Sequence, residues 1–231
     1  MVGNMTQIYS IQAPEEAAAC AEAGADRIGV AVATGADLPA EVSVARCREI
    51  FDAVRGRCET VLIVVTDDEE AIYPPMTELA PDVIHICGNN YFATPEFCGK
   101  AKELCPGIKV LQAVAVDGRG AVDRAMFYGS FCDEIILDSV DPSIAGIGAA
   151  GITNDWDIDA EIVNKVDCPV ILAGGLGPDN VRDAILKVRP WGVDSFTRTS
   201  DRFPDGSSRK NMEKVKAFID EAQKAFREIQ S

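Results

Sequence analysis

The sequence lacks the features of several protein classes. No apolar run approaches the ~20 residues that a helix needs to cross a bilayer, so a membrane-spanning protein is not expected. The sequence has only 22 Lys and Arg residues but 37 Asp and Glu residues, which gives a formal net charge of −15. A field of that sign repels phosphate backbones and anionic headgroups, so we expect neither a nucleic acid nor a membrane surface as a partner.

Metal-ligand and disulfide patterns are missing as well. The chain has a single histidine, His85, and its eight cysteines include no Cys-x-x-Cys pair. Zinc sites use closely spaced thiolates and imidazoles, so no metal is expected. The first residues show no basic stretch followed by an apolar one, as a signal peptide would. We therefore expect a cytoplasmic protein with reduced thiols that act mostly as small core residues.

Short apolar runs alternate with stretches of helical periodicity through the whole chain. The runs are apolar throughout, as in parallel strands that are covered on both faces. About eight such units predict an α/β protein, a (β/α)₈ TIM barrel forming one domain over residues 1–231. A doubly wound open sheet is the alternative, but residues 7–12 carry no glycine-rich fingerprint. The predicted strands are 5–10, 27–33, 60–66, 82–87, 109–116, 134–138, 170–173 and 192–197, and the last helix is 208–229.

Three glycine-bearing or polar segments follow the late strands of the predicted barrel. They are residues 146–151, 174–177 and 195–199. Active sites of barrels lie at the carboxyl ends of the strands, and phosphate sites are common after strands seven and eight. Glycines allow backbone N–H groups to approach a ligand, and a following helix adds the positive end of its dipole. We therefore predict an anion site here, with ordinary tight turns as the alternative.

Asp138 closes the apolar strand Ile135-Ile136-Leu137. A carboxyl group in that position is partly desolvated, which raises its pKa toward the range of a useful general acid. The alternative is an aspartate that only caps a helix or orders a loop.

His85 and Cys87 lie two residues apart on the fourth strand and so share one face. Near the mouth of a barrel, a Cys87 thiolate could act as a base or nucleophile with His85 beside it. Both side chains could instead be buried core residues, which is common for cysteine. Tyr9, at the end of the first strand, could donate a hydrogen bond into the mouth or plug the upper core.

Several segments together resemble the phosphoribosylanthranilate isomerase family over nearly the whole chain. The most specific are residues 172–181, Leu-Ala-Gly-Gly-Leu-Gly-Pro-Asp-Asn-Val, and residues 188–194, Val-Arg-Pro-Trp-Gly-Val-Asp. Residues 7–10, 15–26, 137–139 and 148–156 add to the resemblance. It implies a (β/α)₈ barrel of tryptophan biosynthesis that converts an aminoaldose to an aminoketose by an Amadori rearrangement and uses no cofactor.

The resemblance also implies roles for individual residues. The family's acid, in its Leu-Asp-Ser segment, corresponds to Asp138. Its base is a cysteine in a Lys-Ile-Cys-Gly segment, which reads Gln7-Ile8-Tyr9-Ser10 here. The family's substrate-binding arginine after strand two falls in Ala36-Asp37-Leu38-Pro39, which has none, and a histidine on strand four is replaced by Cys87.

Arg198 stands where the family has a small glycine. It could clamp an anionic ligand or fill the phosphate pocket with its own side chain. Position and resemblance together predict Asp138, Cys87 and Tyr9 as catalytic residues. They predict substrate or phosphate binding by Gly148, Gly151, Gly174, Gly175, Asp194, Thr197, Arg198 and His85.

The preferred hypothesis is a sugar-phosphate isomerase with Asp138 as the acid and Cys87 or Tyr9 as the second proton-transfer group. It acts on phosphoribosylanthranilate or, given the replaced residues, on a different aldose or ketose. The alternative is a degenerate barrel that binds a phosphorylated metabolite without turnover. A metal-dependent aldolase or epimerase using His85, Cys87 and Asp138 is disfavoured by the single histidine and the lack of a second carboxylate motif. We expect a small phosphorylated sugar as partner and a monomer or homodimer.

Overall fold

Eight parallel strands close into a barrel in chain order. The computed structural model describes residues 3–34, 40–88, 90–140, 146–148, 151–204 and 207–230. Strand β1 pairs with both β2 and β8, so the sheet has no free edge and the open-sheet alternative is excluded. The predicted (β/α)₈ barrel is confirmed. The strands are β1 (Met5–Ile8), β2 (Arg27–Ala31), β3 (Glu59–Val64), β4 (Val83–Ile86), β5 (Lys109–Ala115), β6 (Glu134–Asp138), β7 (Val170–Leu172) and β8 (Gly192–Ser195).

Helices connect successive strands on the outside of the barrel. Helix starts follow local chemistry: Pro14 and Pro95 open their helices, and the Thr94 hydroxyl accepts a hydrogen bond from Phe97 N at 3.1 Å. None of the described helices is long and apolar enough to cross a membrane. The helices are α1 (Pro14–Glu22), α2 (Val44–Val54), α3 (Tyr73–Leu79), α4 (Pro95–Leu104), α5 (Gly120–Gly129), α6 (Trp156–Lys165), α7 (Val181–Val188) and α8 (Met212–Gln230).

Two apolar layers explain why the strands read as continuous apolar runs. Side chains such as Ile28 and Leu62 pack outward against the helices. Their neighbours, such as Val61 and Ile63, pack inward inside the barrel. Each fully buried aliphatic side chain contributes about 1.5–3 kcal/mol to folding. Since both faces of the strands are apolar, polar residues are left for the strand ends.

A buried ion network closes the barrel at the amino ends of its strands. Arg27 is 1% exposed; its Nη2 donates to Glu134 Oε1 at 2.7 Å, and its Nε donates to Glu59 Oε2 at 2.7 Å. A buried charge without its partner costs about 3–5 kcal/mol, so these residues act as a unit. The network occupies the end of the barrel where catalysis is not expected.

The chain between β8 and the last helix differs from the sequence-based prediction. Residues 208–210 were expected to begin that helix, but they form strand β10 (Ser208–Lys210), which pairs antiparallel with β9 (Ser200–Arg202). The helix starts at Met212 instead. Lys210 Nζ donates to the Phe196 carbonyl at 3.2 Å and to Ser200 Oγ at 3.0 Å. These tertiary contacts hold the segment extended and override its helical periodicity.

Candidate active site

Asp138 lies at the mouth of the barrel as the last residue of β6 and is half-buried. Its Oδ1 accepts a hydrogen bond from Ser139 N at 2.8 Å. The backbone of Gly148 lies over the other oxygen, so a Cβ at Gly148 would come within 2.5 Å of Oδ2. Gly148 has a φ of +111°, a conformation that favours glycine. The glycine is therefore needed both for the turn and for the room that the carboxyl group occupies.

Burial raises the pKa of Asp138 to about 7. Hydrogen bonds from Ser139 and from the backbone of Gly174 favour the carboxylate and oppose the rise. The rise agrees in direction with the expectation for a carboxyl group at the end of an apolar strand. A group that is partly protonated near neutral pH can both give and take a proton, which is the property of a general acid or base.

The loops after β6 and β7 lie directly on one another. A Cβ at Gly174 would come within 2.6 Å of Asn154 Oδ1, and one at Gly175 within 2.7 Å of the Gly151 carbonyl. Gly174 and Gly175 have φ values of +82° and +56°. The Gly-Gly pair therefore allows the two loops to pack closely, as the tight-turn alternative predicts.

Arg198 lies across the start of the segment that leads into α7. Its Nη1 donates to the Gly175 carbonyl at 3.0 Å, and its Nη2 pairs with Asp179 Oδ2 at 2.5 Å. The Thr197 side chain faces Gly151, where a Cβ would be 3.1 Å from Thr197 Oγ1. The structure therefore brings Gly151, Gly175, Thr197 and Arg198 together between the ends of β7 and β8. Whether Arg198 clamps a phosphate or fills its place stays a prediction.

Tyr9 points into the barrel rather than out of its mouth. It is 7% exposed, and its ring lies 5.4 Å from the ring of His85, which is 4% exposed. A Cβ at Gly29 of β2 would come within 2.2 Å of Tyr9 Cδ1, so the phenol ring fits only because β2 has a glycine there. An isolated glycine inside a strand often marks such a close approach, and this signal was overlooked in the sequence.

Three predicted site residues are neutral side chains of the interior. Burial raises the pKa of the Cys87 thiol to about 12 and that of Tyr9 well above its usual value. Burial lowers the pKa of His85 to about 3, since it disfavours the imidazolium. Cys87 is 3% exposed and its Sγ donates to the Val64 carbonyl at 3.5 Å. A protonated thiol is a weak base, and the catalytic roles of Cys87 and Tyr9 stay predictions.

Asp194 also faces the interior. Its Oδ1 accepts a hydrogen bond from Gln7 Nε2 at 3.1 Å, and both side chains are buried. Burial, together with the negative charge of Asp138, raises the pKa of Asp194 well above its usual range. Gln7 stands where the resemblance implies the family's strand-one lysine. The part of Asp194 in substrate binding stays a prediction.

Two features near Asp138 were not found from the sequence. Asp159, on the first turn of α6, is fully buried, and burial raises its pKa to about 7. Arg124, on α5, donates to the carbonyl of Ala115 at 2.8 Å, at the carboxyl end of β5. Both residues belong to helices, α6 and α5, and only the folded barrel brings them near the carboxyl ends of β6 and β5.

The opposite end of the barrel has a groove of about 680 Å³, lined by residues such as Asp26, Arg57 and Asp82. It lies at the amino ends of β2 and β3, where barrel enzymes do not carry out chemistry. Within the described ranges no three histidine, cysteine or acidic residues are grouped to hold a metal. The segment Ala36-Asp37-Leu38-Pro39 lies outside the described residues.

Comparisons with known proteins agree with the barrel and extend over nearly the whole chain. A sequence family described as N-(5'phosphoribosyl)anthranilate (PRA) isomerase matches residues 6–221. The N-(5'-phosphoribosyl)anthranilate isomerase of Methanocella arvoryzae is 30% identical over 215 residues, 93% of this chain and 96% of the relative.

Two solved structures are also similar, and each match covers 97% of this chain and 100% of the other. One is a phosphoribosyl anthranilate isomerase with reduced 1-(o-carboxyphenylamino)-1-deoxyribulose 5-phosphate, at a TM-score of 0.76 and 27% identity. The other consists of monomers generated from the dimeric enzyme of Thermotoga maritima, at a TM-score of 0.76 and 28% identity.

Proposed function

This chain belongs to the N-(5'-phosphoribosyl)anthranilate isomerase family, and we propose that it catalyses the Amadori-type rearrangement of phosphoribosylanthranilate in tryptophan biosynthesis. The observation that carries the proposal is Asp138. Its carboxyl group stands at the barrel mouth with a pKa raised to about 7, as ring opening at neutral pH requires. The reaction needs proton transfers and no cofactor.

The first step opens the furanose ring. Protonated Asp138 gives its proton to the ring oxygen, and the bond between that oxygen and C1 breaks. The lone pair of the substrate nitrogen forms a double bond to C1, which gives an iminium ion. Asp138 is left as a carboxylate, and the desolvated mouth strengthens its attraction to the new positive charge.

The second step removes the proton from C2. The electrons of that C–H bond form the C1–C2 double bond and neutralise the iminium, and the resulting enolamine tautomerises to the ketone. C2 and the ring oxygen are both attached to C1, so one carboxylate facing C1 can serve both atoms. We propose that Asp138 takes this proton, since its pKa of about 7 suits neutral pH better than the Cys87 pKa of about 12. Cys87 and Tyr9 are the sequence-based alternatives for this step.

We expect the phosphate of the substrate at the loops after β6, β7 and β8. We propose that backbone groups of Gly151, Gly174 and Gly175 surround it, with Thr197 and Arg198 as polar side chains. Arg198 is 36% exposed, so its guanidinium can exchange Asp179 for a phosphate oxygen. Support comes from the convergence of these residues and from the phosphorylated analogue bound by a similar structure.

We also infer a cytoplasmic location for this activity. All eight cysteines are free, which supports the reduced thiols expected from their spacing. Whether the protein is a monomer or a homodimer stays a prediction.

A barrel that binds the ligand without turnover is the second candidate. The raised pKa values of Cys87 and Tyr9 favour it, because neither side chain is a ready base at neutral pH. The two candidates differ in whether Asp138 alone suffices for chemistry.

The test is an assay of the purified chain with freshly generated phosphoribosylanthranilate, whose fluorescence is lost on conversion. We expect turnover that falls about 10²- to 10⁴-fold in Asp138→Asn, because the amide cannot transfer the proton. Asp123→Asn, an exposed aspartate on α5, is the matched control and should retain full activity. Binding without turnover by the folded wild type would support the second candidate, and unchanged turnover in Asp138→Asn would refute the proposed role of Asp138.

A further inference from the structure

A cavity of about 280 Å³ lies at the carboxyl end of β5, beside the strand that carries Asp138. Ala115, in its wall, is paired in register with Asp138 across the β5–β6 ladder. Two other residues of the cavity wall lie near Asp138 in the sequence or next to a residue that contacts it. Val140 follows Asp138 by two positions, and Ile147 precedes the glycine that covers its carboxyl group. These residues place the cavity next to the segment that carries Asp138.

The wall of the cavity is suited to a flat aromatic ring. Phe92 and Tyr128 both line it, and their rings are stacked with centroids 5.9 Å apart at 28°. Val114, Val140 and Ile147 supply aliphatic surface. Aromatic rings pack favourably against such walls in offset or edge-on arrangements, which add about 0.5–1.5 kcal/mol to the burial of the ring.

Arg124 and its ion-pair partner Asp117 both line this otherwise largely apolar cavity. Both hydrogen bonds of Arg124 with described residues start from Nη2, one to the Ala115 carbonyl at 2.8 Å and one to the Asp117 carboxylate. The Arg124 side chain is 40% exposed. The donors of Nη1 and Nε therefore remain for a second anion, and a guanidinium suits a planar carboxylate especially well.

The charges around the mouth define where the two ends of a doubly anionic substrate can lie. Arg198 stands on the β7–β8 side and Arg124 on the β5 side, with Asp138 on β6 between them. The sequence has no lysine or arginine between Arg27 and Arg46, so the loop after β2 offers no cation of its own. If the phosphate of the substrate binds Arg198, Arg124 is available to bind the anionic group at the other end of the substrate.

We propose that the cavity lined by Phe92, Tyr128 and Arg124 is the subsite for the carboxylated aromatic ring of the substrate, and that Arg124 determines specificity by binding the carboxylate. The subsite rests on the proposed function, because phosphoribosylanthranilate carries a benzoate group on its reacting nitrogen. The reacting carbon then lies between the two anionic ends, next to Asp138.

The experiment measures the affinity of two probes for the full-length protein by titration calorimetry. One probe is reduced 1-(o-carboxyphenylamino)-1-deoxyribulose 5-phosphate, and the other is its phenylamino counterpart without the carboxyl group. In Arg124→Gln we expect the first probe to bind about 10- to 100-fold more weakly, since a charge-assisted bidentate contact is lost. Affinity for the second probe should change by less than about twofold.

Arg119→Gln is the matched control, because Arg119 precedes the same helix, is 79% exposed and pairs with Glu161 outside the cavity. It should leave both affinities unchanged. Arg124→Lys keeps the positive charge but lacks the paired N–H donors of the guanidinium. It should cause an intermediate loss of affinity for the carboxylated probe. Melting temperatures of all variants establish that they are folded.

The outcomes separate this subsite from the proposed function. Equal losses for both probes in Arg124→Gln, or no loss, would overturn the subsite while wild-type turnover upheld the function. Arg124-dependent binding of the carboxylated probe without turnover would uphold the subsite and refute the isomerase activity. A wild type that binds neither probe would overturn both.

Discussion

The two sides of the barrel mouth use burial to opposite effect. On the β5–β8 side, burial of Asp138 raises its pKa to about 7, where it can exchange protons. On the β1–β4 side, burial raises the pKa of Cys87 to about 12 and leaves it protonated. The same desolvation thus makes one group useful and the other inert, because a carboxyl group starts well below neutral pH and a thiol starts above it.

Glycines mark the same contrast. Gly148 leaves room for the carboxyl group of Asp138 at the mouth, whereas Gly29 leaves room for the ring of Tyr9 inside the barrel. One glycine keeps a polar group near solvent, and the other allows a large side chain to fill the core. This contrast supports the proposed role of Asp138 on the β5–β8 side and packing roles for Tyr9 and Cys87 on the β1–β4 side, and the catalytic roles of all three residues stay predictions.

Two substitutions test this contrast, one at Gly148 and one at Cys87. We expect the substitution of Gly148 to lower kcat more. In Gly148→Ala the new Cβ would lie 2.5 Å from Asp138 Oδ2, so the carboxyl group must move. A misplaced catalytic group costs about 10²-fold in rate, and we expect a fall of that size in kcat in the fluorescence assay.

Gly107→Ala is its control. Gly107 also has a positive φ, +91°, but a Cβ there would meet nothing within 4 Å. Gly107→Ala introduces backbone strain like that of Gly148→Ala but no contact with Asp138. Its kcat should therefore equal that of the wild type. Equal losses in the two variants would mean that backbone strain, and not displacement of Asp138, lowers the activity.

Removal of the Cys87 thiol is expected to have the smaller effect. Since Cys87 is protonated and donates to the Val64 carbonyl, Cys87→Ala should change kcat at pH 7 by less than about threefold. Cys47→Ala, a buried cysteine on α2 outside the barrel, provides the comparison for lost packing. If kcat fell more than about tenfold in Cys87→Ala and not in Cys47→Ala, Cys87 would be the base and the proposal for Asp138 as the base would be wrong.

The fold was predictable because its signals are local and repeated. Continuous apolar strands, helix starts such as Pro14 and Pro95, and the count of strand–helix units all point to the same barrel. The prediction was wrong at residues 208–210, where strand β10 replaces the start of a helix. Contacts of Lys210 with Phe196 and Ser200 decide that segment, and no local pattern encodes them.

The candidate site was predictable in part. The raised pKa of Asp138 follows from its position at the end of an apolar strand, and the glycine loops follow from their place in the barrel. The inward turn of Tyr9 depends on Gly29, a residue 20 positions away in the sequence that pairing of β1 with β2 brings beside it. Arg124 was missed for the same reason, since its cavity is assembled from four separate segments.

The pH dependence of kcat/KM tests the central claim most directly. If Asp138 gives and then recovers the proton, activity requires its protonated form. The rate should be constant below the pKa of about 7 and fall about tenfold per pH unit above it, in the wild type and in Cys87→Ala alike. A rate that instead rises through pH 7 and loses this rise in Cys87→Ala would show that a thiolate takes the C2 proton, and would contradict the account.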